Sequence, residues 1–252
     1  MNKKKAAVTA VAVLTTLALG KAAGYLLANG VLNKGNKEEY DTNHIQRNED
    51  SPLNGKKVFC LGSSVTFGMN PQKKSFVEFL EAETGCVCIK EAVPGTTLAD
   101  IRDDSYVSRL KKYSAEEAPD LFICQLSTND ATRGLDLGSV AEGWDPEGFD
   151  TKTVTGAIEY IISYVRSTWD CPVVFYTGTR YNSYNGKKYD AMVARLLELK
   201  DKWNIEVVDL YHDLDVKIPE YKLYMKDPIH PTLAGYGLWW TPEIREKLEK
   251  LV

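Results

Sequence analysis

The chain has 252 residues, 44% apolar and 26% charged, with 18 Gly and 10 Pro, proportions that exclude collagen, coiled coil and wholesale disorder and leave one or two globular domains. Thirty-one Lys and Arg stand against 35 Asp and Glu, so no basic surplus exists to neutralise many phosphates, and nucleic acid is a poor partner. Three His, and five Cys without paired C-x-x-C spacing, argue against a zinc scaffold; the chemistry is expected to run with no metal and no organic cofactor.

Lys3-Lys4-Lys5 precede an uncharged stretch over residues 6–20, and after Lys21 a second apolar stretch covers 22–32. The first alone would make a helix of roughly 22 Å, short of a ~30 Å hydrocarbon core but suited to the apolar part of a signal peptide. Spanning needs both stretches and would carry Lys21, at roughly 2.5 to 3.5 kcal/mol if it sat at the centre, less if it snorkels. Residues 1–32 therefore read as a signal peptide or a membrane anchor. The lysines ahead of the run predict an inside N-terminus and an exported chain, secreted or anchored, with membrane contact through this segment if it is retained. A soluble Ala-rich helix is the alternative. Residues 33–51 are polar, offer almost nothing to bury and read as a linker, so His44 is set aside.

Residues 52–252 alternate strand and helix signals. Short apolar runs at 58–61, 86–89, 121–126, 173–176 and 205–210 predict buried strands. Helices are predicted over 75–83, 98–113, 153–168, 191–203 and 232–250. Such an alternation implies an α/β fold: a five-stranded parallel sheet in a three-layer α/β/α sandwich, with ligands at the carboxyl ends of the strands. The segment 131–150 is longer than a normal connection and marks a functional or mobile loop.

Three local patterns fall at those strand ends. Leu61-Gly62-Ser63-Ser64 follows the first strand; a serine at such a turn can attack a carbonyl beside converging N–H donors, although a capped tight turn looks the same. Asp227-Pro228-Ile229-His230 precedes the last helix and can bring a carboxylate to one imidazole nitrogen while the other takes a proton; a solvated loop or a helix cap is the alternative. Gln125-Leu126-Ser127-Thr128-Asn129-Asp130 ends the third strand, where an Asn amide can face an oxyanion, a contribution of about 3 to 4 kcal/mol, or merely form an Asx turn.

Together the three patterns resemble the SGNH hydrolases, the GDSL esterase/lipase family. Gly62-Ser63-Ser64 matches the first block, Gly95 in Val93-Pro94-Gly95-Thr96-Thr97 the second, Asn129 the third and Asp227-x-x-His230 the last, in the same order over almost all of residues 56–250. The resemblance implies a flavodoxin-like sandwich. It implies Ser64 as nucleophile, His230 as general base and then acid, Asp227 as the orienting carboxylate, and an oxyanion hole from the Ser64 and Gly95 N–H groups with the Asn129 side chain. Two departures stand out: Ser63 replaces the usual Asp, and Ser127 the usual Gly.

The sequence leaves secondary candidates. Ser63 competes with Ser64 as nucleophile, and His212 with His230 as base; His212 reads better as a rim or structural residue, because the adjoining Asp213 points away on extended backbone. Arg133 and Trp144 near the long loop, and Arg180 and Tyr181 with Asn182 and Tyr184 after the fourth strand, are candidates to line a substrate cleft. The five Cys read as buried thiols and Trp239-Trp240 as core. The expected activity is a serine esterase acting on a small acyl ester, with an acetyl group on a glycan outside the cytoplasm as the favoured substrate. A glycan O-acetyltransferase using the same triad and a glycan-binding module with a dead site are the competing readings.

Overall fold

The computed structural model describes residues 33–180 and 186–252. Five parallel strands, β1 (Lys57–Gly62), β2 (Val87–Ala92), β3 (Leu121–Gln125), β4 (Val173–Tyr176) and β5 (Glu206–Val208), form one sheet in the order 2-1-3-4-5. Val58 pairs with Cys88 on one side and Leu121 on the other. The apolar runs are nearly continuous because both faces are covered. Phe59, Leu61, Phe122, Cys124, Val173, Phe175 and Val207 enter one core; Val58, Cys60, Leu121, Ile123, Val174, Tyr176 and Val208 enter the other.

The first core is closed by α3 (Tyr106–Leu110), α5 (Val154–Thr168) and α6 (Gly186–Trp203), through residues such as Ile158, Ile161, Ile162, Met192 and Leu196. The second is closed by α2 (Phe76–Thr84) and α10 (Thr241–Glu249), with Phe76, Phe79, Leu80, Ile244 and Leu248. Ser75 starts α2 with a capping box: Val77 N–H donates to its hydroxyl and Glu78 accepts from its backbone N–H at 2.7 Å. Strand β2 is one of the two edges, and it carries Lys90 and Glu91, charges that discourage further pairing.

Three sequence expectations change. Of the helix predicted over 98–113, only α3 is helical. The N–H groups of Leu98 and Ala99 are tied to the remote Asp130 carboxylate at 2.9 and 3.0 Å, the Asp100 carboxylate accepts from the Ser105 and Ser108 hydroxyls, and the Ser105 hydroxyl caps the helix so that it starts only at Tyr106. The single helix predicted over 232–250 is α9 (Leu233–Gly235), a π turn (Tyr236–Trp240) and α10. Pro242 sits in the first turn of α10 and cannot donate to the carbonyl of Leu238, and the helix widens just before it. Trp240 is buried as expected, while Trp239 is only partly covered and packs on Tyr224.

The segment 33–51, read as a free linker, is instead seated on the sandwich. Asn36 is buried and its Oδ1 accepts from Leu233 N–H at 2.9 Å; Asp41 takes two 2.6 Å bonds from Lys74 Nζ; Ser51 Oγ donates to Glu249. Tyr40 and Ile45 pack on the second core. The segment has few apolar residues, and its docking runs mostly through side-chain polar contacts that a hydropathy reading does not register. The signal or anchor expected in residues 1–32 lies outside the described residues. No helix among the described residues is long and apolar enough to cross a membrane.

Candidate active site

In the order 2-1-3-4-5 the chain moves outward in opposite directions from β1 and β3, and the crevice beyond their carboxyl ends is where such sheets bind ligands. Ser64 and Asn129 begin there. Gly62 ends β1 with no room for a side chain: a Cβ would stand 1.7 Å from Thr66 Oγ1. Ser64 opens the four-residue helix α1 (Ser64–Phe67), so its N–H is one of the first-turn donors that no helical carbonyl can take. Gln125, at the end of β3, fixes this turn from below. Its Oε1 accepts from Ser63 N–H at 2.9 Å, Thr66 N–H at 3.3 Å and Thr66 Oγ1 at 3.0 Å.

Across the crevice, Ser64 Oγ lies 2.9 Å from His230 Nε2, a contact that spans 166 positions of sequence. His230 Nδ1 is 3.0 Å from both carboxylate oxygens of Asp227, whose Oδ1 also accepts the N–H groups of Ile229 and His230 at 2.8 and 2.9 Å. The loop holding this pair is closed by a bridge between Met225 and Pro231 and by Lys226 N–H donating to His230 O. With Asp227 accepting from Nδ1–H, Nε2 is left free to receive the Ser64 proton. Partial burial works to raise the Asp227 pKa, but the His230 ring and the two backbone donors outweigh it and hold the carboxyl below the ordinary range.

Asn129, in α4 (Thr128–Arg133), places its amide nitrogen 2.9 Å from Thr96 O and 3.2 Å from Ser63 Oγ. Gly95, the neighbour of Thr96, has φ +80° with no atom within 4 Å of a built Cβ, so glycine is needed there for backbone conformation rather than for space. The buried Asp130 anchors the same loop through Leu98 and Ala99, and its burial raises its pKa to about 6 against the pull of those two donors.

Other sequence candidates fall elsewhere. Arg133 does reach this region, donating to Gly95 O at 2.7 Å. Trp144 does not: it packs edge-on against Trp203, 4.7 Å between centroids, and Trp203 ends α6 just before β5 begins, at the end of the sheet opposite Ser64. The Trp144 ring stays exposed, with Lys202 Nζ over one face. Arg180 stacks on Tyr211, beside Asp190 and His212. Tyr181, Asn182 and Tyr184 lie outside the described residues. His212 pairs with Asp209 at 2.7 Å rather than Asp213, the same three-residue spacing as Asp227 and His230, and it has no contact with Ser64. Ser63 is fully buried behind Ser64 and bonded to Asn129, which leaves it no path to the imidazole. All five cysteines are free thiols, and among the described residues no cluster of His, Cys, Asp or Glu is arranged to hold a metal. Sequence reasoning missed the roles of Gln125, Asp130 and Arg109, which share no pattern of spacing with the residues they hold.

A parallel sandwich with a Ser–His–Asp chain at its switch point defines a hydrolase class. From residue 60 to residue 238 the sequence matches the model of the GDSL-like lipase/acylhydrolase family, carboxylic ester hydrolases, and the chain belongs to that family. Similar solved structures include a protein from Lactobacillus plantarum (20% identity, TM-score 0.62, 79% of this chain and 96% of that one). A protein described as a possible lipase from Chitinophaga pinensis is 18% identical (TM-score 0.59, 78% and 98%), and the lipase/acylhydrolase from Enterococcus faecalis 19% (TM-score 0.54, 77% and 96%). At these identities the likeness concerns the fold. A search of the curated proteins finds no match.

Proposed function

We propose that the protein is a serine esterase of short acyl esters, with Ser64 as nucleophile, His230 as general base and then acid, and Asp227 as the residue that orients the imidazole. The observation that carries this reading is the 2.9 Å approach of Ser64 Oγ to His230 Nε2 with Asp227 on the other ring nitrogen. Ser64 Oγ attacks the ester carbonyl as its proton passes to Nε2; the tetrahedral oxyanion is held by the N–H groups of Ser64 and Gly95 and by the Asn129 amide, which exchanges its contact with Ser63 Oγ for one to the oxyanion. His230 returns the proton to the departing alcohol. Water, deprotonated by the same nitrogen, then releases the acid and restores the serine.

A short acyl chain is supported by the cavity lined by Val65, Thr128, Thr179 and Ile229, next neighbours of Ser64, Asn129 and His230 among them. It measures about 10 Å³, space for about one water-sized group, which leaves no room beside the triad for a long acyl chain. The charged start and apolar run of residues 3–32 support export, which would face the enzyme toward acetylated glycans outside the cytoplasm. The test is hydrolysis of p-nitrophenyl acetate and longer esters by the full chain, beside Ser64→Ala and His230→Ala. Both substitutions are expected to lower kcat by at least roughly a thousandfold, with acetate the preferred acyl group. Equal turnover by all three proteins would overturn the mechanism.

A further inference from the structure

We infer that Arg109 is a positioning residue that sets the spacing between the nucleophile turn and the oxyanion loop, an inference that rests on the esterase reading above. In sequence Arg109 is one basic residue in the helix expected over 98–113. In the structure it is buried, with 4% of its surface exposed, and its guanidinium lies over the Tyr106 ring with 5.2 Å to the centroid. Its donors are spent on four separate segments. Nη2 donates to Gly62 O at 2.8 Å and to Thr96 Oγ1 at 3.2 Å; Nη1 donates to Glu91 O at 3.0 Å and pairs with Glu91 Oε1 at 2.7 Å; Nε donates to Asp104 O at 3.0 Å.

Two of these contacts bracket the site. Gly62 stands two residues before Ser64, and Thr96 directly follows Gly95; the carbonyl of Thr96 in turn accepts from Asn129. One rigid planar cation thus ties the turn that supplies the Ser64 N–H to the loop that supplies the Gly95 N–H, and Asn129, the third donor, is joined to that loop through Thr96 O. A buried ion pair is weak as a source of stability, since desolvation offsets most of its attraction. What a guanidinium supplies that an apolar side chain cannot is a fixed angle and distance between its acceptors. A lysine has one nitrogen and cannot reach Gly62 O, Thr96 Oγ1 and Asp104 O at once. Because a displacement of about 1 Å in a reacting constellation can cost on the order of 100-fold in rate, the loss of this tie appears in the transition state and not in substrate binding.

The experiment compares wild type, Arg109→Lys, Thr96→Val and, as a remote control, Arg195→Lys, whose arginine binds Gly138 O on the long loop and Thr155 Oγ1 in α5. Each full-length protein is assayed for kcat and KM on p-nitrophenyl acetate and for inhibition by methylboronic acid, which forms a tetrahedral adduct with a serine hydroxyl. The inhibition constant does not depend on the fraction of folded enzyme, so simple destabilisation leaves it unmoved. Arg109→Lys is expected to lower kcat by roughly 10- to 100-fold with little change in KM, and to weaken the boronate by a similar factor. Thr96→Val, which keeps the shape but deletes the Arg109 contact together with the Thr96 Oγ1 bond to Val93 O, is expected to do the same by about three- to tenfold. Arg195→Lys should leave all three constants within about twofold of wild type. An unchanged boronate constant in Arg109→Lys, or in Thr96→Val if the arginine variant does not fold, overturns the inference. An inactive wild type would instead overturn the esterase reading.

Discussion

Asp227 and Asp130 are carboxylates on two sides of one crevice, and their surroundings push them in opposite directions. Asp227 is held low by His230 and backbone donors despite its burial. Its contribution to stability is present above the ordinary value of 3.8 and lost as pH falls through its lower folded value. Asp130 is raised by burial to about 6; its contribution is fully present below 3.8 and lost as pH rises through about 6. Urea unfolding as a function of pH checks this: Asp130→Asn should lack the decline in stability that wild type shows between those values, and an unchanged slope would contradict the assignment. For activity, Asp227→Asn is expected to lower kcat by roughly 10⁴-fold, because an amide facing Nδ1 favours the wrong tautomer. Gln125→Leu should cost about 1–3 kcal/mol for each buried N–H it orphans, measured by denaturant titration, and should slow turnover because Ser63 and Thr66 lose their common acceptor. Ile229→Ala, by opening the cavity beside His230, should raise the rate on butyrate relative to acetate in a comparison of p-nitrophenyl esters. The residues of the Ser64–His230–Asp227 chain were legible in sequence because each sits in a short pattern at a strand end or before a helix. The holding roles of Gln125, Asp130 and Arg109 were not: the first two stood in the third pattern only as neighbours of Asn129, and an amide, a carboxylate and a guanidinium that hold backbone groups up to 62 positions away do not announce those partners locally.

At the scale of elements, the strands were readable because a sheet covered on both faces demands apolar residues at nearly every position, as in β3 and β4, where all are buried. Phe122→Ala is expected to cost about 3–5 kcal/mol of stability, since the side chain is fully buried between β1, β4 and the first core; equilibrium unfolding measures it. Helices fared unevenly. The helix expected over 153–168 forms as α5, Val154–Thr168, with Thr153 as its cap. Residues 98–105 carry enough apolar side chains to suggest a helix, but Asp130 and Asp100 recruit their polar groups, and one of those partners is remote in sequence. Segment 33–51 escaped for a related reason, its docking resting on Asn36, Asp41 and Ser51 rather than on an apolar stripe. Asn36→Ala should therefore destabilise the protein by about 1 kcal/mol or more and lower kcat, since Asn36 accepts from Leu233 at the start of α9, three residues after His230.

For the molecule as a whole, the sheet order sets the chemistry. Placing β1 beside β3 with β2 outside brings a serine, an asparagine and a glycine loop to one crevice, and the C-terminal elements carry the imidazole across the top. If residues 1–32 direct export, external protease should reach the folded unit in intact cells making the full chain, and charge reversal at Lys3, Lys4 and Lys5 should reduce that exposure. The most direct test of the account is the identity of the residue that carries the acyl group. The full chain is quenched in acid during turnover of p-nitrophenyl acetate, digested and sequenced by mass spectrometry. The account predicts acetyl on Ser64, lengthened in lifetime by His230→Ala and absent from Ser64→Ala; acetyl on another residue, or the same labelling in Ser64→Ala, would contradict it.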